Sequence, residues 1–160
     1  MTRFWVVRMQ IEDEESWDIG EANGFVGIGW AKINPTKYSK EDKELLIEEY
    51  KRKYKESPNK DEIGTMLRFV NDIIEGEDFV ILPTFPENLG EYYLIGKVKT
   101  RAYYEKIPKD GAYERTRRKV EWLNDVPREL LSESFRHSLN AHQTVFNIDK
   151  HRREIIPYLP

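Results

Sequence analysis

The chain of 160 residues contains no cysteine, which excludes disulfides, thiolate metal sites and cysteine nucleophiles. Histidine is almost as scarce. His137, His142 and His151 are the whole set, and His137 and His142 stand five apart without the carboxylate of a zinc motif, so chance surface histidines and no metal are expected. No apolar run approaches membrane-spanning length, and Met1-Thr2-Arg3-Phe4-Trp5 lacks a signal-peptide pattern. A soluble, cytoplasmic protein without a membrane partner is therefore expected. Repeats and low-complexity segments are missing too.

The familiar catalytic patterns are also absent. There is no Gly-x-Ser-x-Gly elbow and no Gly-x-x-x-x-Gly-Lys-Ser/Thr phosphate loop. Gly27-x-Gly29 lacks the third glycine and the following helix of a dinucleotide fingerprint, and Lys119-Val120-Glu121 runs in the wrong order for a restriction-nuclease site. No catalytic residue and no cofactor are expected.

What is present is charge and aromatic surface. Charged residues make up 34% of the chain and hydrophobic ones 39%, enough for one domain with a real core. The net charge of −3 argues against a protein that simply coats polyphosphate. Its distribution is uneven: Glu12 to Glu15 is acidic, whereas residues 97–119 hold nine Lys/Arg against three acids. That basic region is either an electrostatic footprint or a set of solvated hairpin charges.

The pattern reads as mixed α and β. Strands are expected over 3–9, 24–30, 78–83, 92–99, 117–123 and 144–148, from β-branched and aromatic runs bounded by turn residues. A charged surface helix is expected from Ser39 to Glu56, with Asp42 completing a capping-box-like start. Ile63, Met66, Leu67, Val70, Ile73 and Ile74 mark a second, amphipathic helix that stops at Gly76. Short helical segments follow Pro127, and Asp149 caps a terminal helix. The expected fold is α+β: a small, strongly twisted sheet or barrel of five to six strands with peripheral helices. Residues 1–156 form one domain, and 157–160 read as the start of a linker.

The centre of interest is Gly27-Ile28-Gly29-Trp30. Two alternate glycines bare one face of a strand, and a large aromatic follows at its end. That makes either a slot for a flat ligand or a core Trp packed on small residues. Trp5 and Trp122 are expected in the core, and Phe85, between Pro83 and Pro86, at the surface. Aromatic walls around an isolated base are worth about 1–3 kcal/mol per stacked base, and Asn34, Thr36, Ser39 and Thr84 could contact its edge.

Several stretches together, in order along nearly the whole chain, carry a resemblance: Phe4-Trp5-Val6-Val7-Arg8, Gly27–Trp30, Phe69-Val70 to Gly76 leading into Asp78–Pro83, Tyr93–Val98 with Tyr103-Tyr104, Val120–Leu123, and Ser138-Leu139 to Thr144–Ile148. The series resembles the amino-terminal modules of modification-dependent restriction proteins of the McrB and Mrr kinds, which are similar to the EVE, YTH and PUA-like superfamily. The resemblance implies a twisted β-barrel whose pocket takes a modified base, flipped out of DNA or displayed in single-stranded RNA. Carried onto this sequence, Trp30 is the cage aromatic, Ile33-Asn34 lies against the base, Pro83-Thr84-Phe85 forms a second wall and Tyr103 stands near the pocket mouth. Glu77 departs from the family pattern by separating Gly76 from Asp78, and no full cage of three aromatics can be matched.

The expected function is a non-enzymatic nucleic-acid-recognition module of a restriction system, with DNA first and RNA second as partner, alongside further domains of the same polypeptide or complex. Trp30, Ile33, Asn34, Thr84, Phe85 and Tyr103 are the candidate base-binding residues. Lys97, Lys99, Arg101, Arg117 and Arg118 are the candidate phosphate-binding residues. The alternatives are a PUA-like RNA-binding domain with no modified-base cage, a protein-interaction or regulatory domain that docks through a sheet edge or the Ser39–Glu56 helix, and a nuclease.

Overall fold

A computed structural model describes residues 1–11 and 14–160; Glu12 and Asp13, half of the acidic cluster, lie outside the described residues. The strands are β1 (Phe4–Val7), β2 (Gln10–Ile11), β3 (Glu14–Glu15), β4 (Phe25–Ile28), β5 (Phe79–Thr84), β6 (Tyr92–Val98), β7 (Tyr103–Tyr104), β8 (Thr116–Pro127) and β9 (Val145–Asn147). The helices are α1 (Trp17–Asn23), α2 (Lys43–Tyr54), α3 (Lys60–Asn71), α4 (Glu133–Leu139) and α5 (Arg152–Ile155). The main sheet runs β4-β8-β6-β5-β1-β9, with β7 added beside β8. Among the described residues only β1 and β5 pair in parallel; the other pairings are antiparallel. The fold is α+β, and its sheet is a curled, mixed half-barrel.

Alternation along the strands explains the layering. Trp5, Val7, Val80, Leu82, Leu94 and Val98 point into a core shared with α2 and α3. Their neighbours Phe4, Val6, Ile81, Tyr93 and Ile95 point into a second core closed by α4 and α5. A period of two therefore gives a sheet covered on both faces, because each face finds a helical partner. Long β8 turns a corner at a register shift between Ile95 and Gly96 of its partner. Gly96 is obligatory there: a Cβ would lie 2.7 Å from the Trp122 ring. Trp5 is buried as expected, whereas Trp122 is half-buried against that core.

Helix α3 begins at a reciprocal Asn59/Glu62 capping box and buries Ile63, Met66, Leu67 and Phe69. Asp78, fully buried, accepts hydrogen bonds from the backbone amides of Arg3 (3.0 Å) and Ile74 (2.8 Å) and from Trp5 Nε1 (3.1 Å). Gly76 and Asp78 both bind the backbone of Val98, so the extra Glu77 is accommodated in the turn into β5. Two expectations need correction. Trp17 opens helix α1 rather than sitting in a connection. His151 is buried, its Nε2 2.8 Å from Ser138 Oγ and its ring stacked on Phe135.

Candidate functional site

The turn after β4 is held from three sides. Trp30 O accepts from Ile33 N at 3.1 Å. The Ala31 carbonyl accepts from Tyr104 Oη and, at 3.5 Å, from Arg115 Nη1. Lys32 N donates to Tyr54 Oη at 3.3 Å. Within this frame Trp30 has φ 60°, the left-handed region that a bulky side chain rarely enters. Such backbone costs on the order of 1–3 kcal/mol and persists only where its surroundings over-determine it. The half-buried Trp30 packs against the edge of the main core and also lines a recess.

That recess holds about 360 Å³, within the roughly 300–1,000 Å³ of small-molecule sites. Its aromatic walls are Trp30, Tyr50 and Tyr54 of α2, and Tyr113 from the segment before β8. Tyr50 and Tyr54 are four apart on α2 and share one helix face, with ring centroids 4.7 Å apart. Tyr113, 48% exposed, stands at the solvent side. Polar groups complete the lining: Glu56, Glu62 and Glu114, with Arg8, Gln10 and Thr144.

Glu114 is 1% exposed and accepts from the Ser16 hydroxyl. Burial raises its pKa above the ordinary carboxylate value, opposed by that hydrogen bond and by Arg117. Burial, then the facing Glu62 carboxylate, push the Tyr50 phenol well above its usual range. A flat ring can stack here, and carboxylates can accept N–H groups from its edge.

The expected site residues divide sharply. Trp30 lines the recess. Ile33 does not: it is 1% exposed, a core residue. Asn34 spends its Oδ1 on Thr36, capping the turn that Pro35 starts. Thr84 is buried with its hydroxyl on the Tyr92 carbonyl. Phe85 lines a separate small recess with Trp17, Pro83, Arg8, Met9 and Gln10. Tyr103 pairs with Arg117 in the sheet, and its neighbour Tyr104 is the residue that reaches the Trp30 turn.

The candidate phosphate ligands need a larger correction. Arg117 is 4% exposed, forms two hydrogen bonds to Asp110 (2.6 and 3.0 Å) and lies over Phe25. Asp110 is held below its ordinary pKa by that guanidinium. Arg118 is 2% exposed and donates to the carbonyls of Phe69 (2.9 Å), Val70 (2.9 Å) and Thr100 (3.1 Å). Burial lowers its pKa to about 10. Both guanidiniums are spent on internal partners. Gly27 belongs to the same arrangement, since a Cβ there would meet Glu114 at 2.8 Å. Its bare face receives Glu114 and Arg117, not a ligand.

Lys97 lies over Phe79, Lys99 is 3.7 Å from Glu121, and Arg101 pairs with Glu75. Lys99 is bonded to Lys119, which pairs with Phe25 at the far end of β4 from Trp30. Three strand steps, about 10 Å, separate them along β4 alone. Lys32, on the Trp30 turn, and Arg115, which donates to it from the segment before β8, are instead the cations there.

One further arrangement is open to a catalytic reading. Glu154 stands 3.8 Å from His151 Nδ1, completing a Ser138–His151–Glu154 series, but its oxygens accept from Ser132 N and Oγ at 2.8 and 2.6 Å. Those bonds staple α5 to α4. Among the described residues no group of three or more His, Asp or Glu could hold a metal ion, and no helix is long and apolar enough to cross a membrane.

Fold and site together define an α+β domain whose curled sheet and second helix enclose an aromatic, carboxylate-bearing recess. The chain belongs to the family described as a domain of unknown function (DUF8426), whose model matches residues 5–149. No curated protein matches it. Among solved structures it is similar to the YTH domain of the Zygosaccharomyces rouxii MRB1 protein in complex with N6-methyladenosine RNA. That likeness has 13% identity and a TM-score of 0.48, and it covers 99% of this chain and 88% of that one.

Proposed function

We propose that this chain is a non-enzymatic nucleic-acid-recognition module that takes one flipped or unpaired base, in modified form, into the recess beside Trp30. The observation that carries the reading is the left-handed Trp30, held by its turn beside a recess that Tyr50, Tyr54 and Tyr113 also line. Strain of this kind is retained where a side chain must be presented. The base lies against Trp30, and the Glu62 and Glu114 carboxylates accept from its edge. Lys32, on the same turn, and Arg115, which donates to it, receive the flanking phosphates. The ordered sequence resemblance supports a setting in modification-dependent restriction.

The test is anisotropy of labelled single strands, intact and with the bases removed. Binding should require bases, and Trp30→Ala should weaken it about 5- to 150-fold, the equivalent of one stacked base, with an unchanged circular-dichroism spectrum. Equal affinity for the abasic strand, or no effect of the substitution, would remove the base from the pocket.

A further inference from the structure

The recess is unusual for a nucleic-acid site in the sign of its charge. Among its described lining residues three carboxylates, Glu56, Glu62 and Glu114, face one cation. That cation, Arg8, directs its Nη2 to the Leu139 carbonyl and its guanidinium over Phe146, neither of which lines the recess. Such a lining repels a phosphate and gains nothing from a neutral ring beyond stacking and N–H bonds. It does reward a cation. Aromatic faces, that of Trp above all, attract a positive charge through the ring quadrupole. Tyr54 already carries one, with Lys32 Nζ 5.3 Å from its centroid. In a recess with low-dielectric walls the carboxylates add an attraction that water screens less than at an open surface.

We infer that the base taken by this pocket is a cationic one, methylated at a ring nitrogen, as in N1-methyladenine or N7-methylguanine. The inference rests on the base-binding reading and names the substrate class of that same site. A delocalised positive ring stacks on Trp30 and meets Tyr50 and Tyr113 as a cation, while Tyr54 keeps Lys32. Glu62 and Glu114 are its counter-charges. Methylation of an exocyclic amine leaves the ring neutral and uses the aromatic walls alone.

N1-methyladenine and N6-methyladenine are isomers that differ in charge, which makes the test direct. Short single strands identical except for a central N1-methyladenine, N6-methyladenine or adenine are titrated into the protein by calorimetry. The N1-methylated strand should bind about tenfold tighter or more than either neutral one. Glu62→Gln, which keeps the capping box, should lower that ratio about threefold, one of the two counter-charges being lost. Neutral strands that bind as tightly, with Trp30 still required, overturn the cationic preference and leave the base reading standing. No binding by any strand removes both. A trimethyllysine peptide that binds more tightly than every strand also overturns the inference, by making the pocket a cage for a protein side chain.

Discussion

The recess beside Trp30 holds about 360 Å³, and an open groove along edge strand β9 holds about 670 Å³. The larger one is lined by His137, Ser138, Asn140, Gln143 and Lys150, side chains that water satisfies well, together with Arg68, whose Nη1 is bonded to the Val145 carbonyl. The smaller one gathers four aromatic rings and a buried carboxylate around a strained residue. Volume measures how much solvent a surface admits. Convergent aromatic faces and desolvated charge measure what a ligand gains by replacing that solvent.

The two recesses share helix α3, with Glu62 at its first turn on the small one and Arg68 near its last turn on the large one. Arg118 ties that last turn to the sheet through the Phe69 and Val70 carbonyls. Arg118→Ala should therefore damage both recesses together. Three acceptors, one buried and two part-buried, lose their donor, a cost of about 3 kcal/mol, read as a lower denaturant midpoint. A variant that keeps parental stability would show that α3 does not depend on this anchor.

A second substitution should separate the recesses. Tyr54→Ala removes one wall of the small one and should weaken nucleic-acid binding about fivefold or more, while the groove keeps all its lining. Unchanged affinity would mean that α2 is not part of the site.

A pH comparison sharpens the small recess further. Burial raises the folded pKa of Glu114, whose neighbours are Ser16, Arg117 and Asp110. The folded state thus holds this proton more tightly than the unfolded chain. Its contribution to stability is full below the ordinary value of 4.5 and is lost as pH rises through the raised folded value. Glu114→Gln removes this dependence, so relative to the parent the variant should gain stability between pH 4 and pH 7 in denaturant titrations. A constant difference across that range would mean that Glu114 does not titrate differently in the folded state.

The smallest effect belongs to the groove. His137→Ala alters an exposed side chain away from the aromatic walls and should change nucleic-acid affinity by less than about twofold, as surface substitutions away from a site do. A larger loss would move the functional surface to β9.

Much of the architecture is legible in the sequence because it follows a local period. The β-branched and aromatic run Phe4–Val7 declares a strand, and the spacing of Ile63, Met66 and Leu67 declares the buried face of a helix. Trp30 is legible for a different reason: a large aromatic ends a strand in which glycine removes side chains. Its partners are not. Tyr50 and Tyr54 lie on a helix where an aromatic pair reads equally well as core, and Tyr113 comes from a segment dominated by charge. Arg117 and Arg118 mislead because adjacent charges in a strand usually face water. Here one finds Asp110 and the other the carbonyls of α3, partners distant in pattern that only the assembled fold supplies.

The difference between the two recesses can be read in one experiment. In a 1H–15N spectrum each of the four tryptophans contributes one indole signal, and those signals can be followed with the backbone amides while a short single strand is added. The account requires the Trp30 indole and the Tyr113 amide to move most, with His137, Asn140 and Gln143 unchanged. Shifts confined to those groove residues, with the Trp30 indole still, would contradict it.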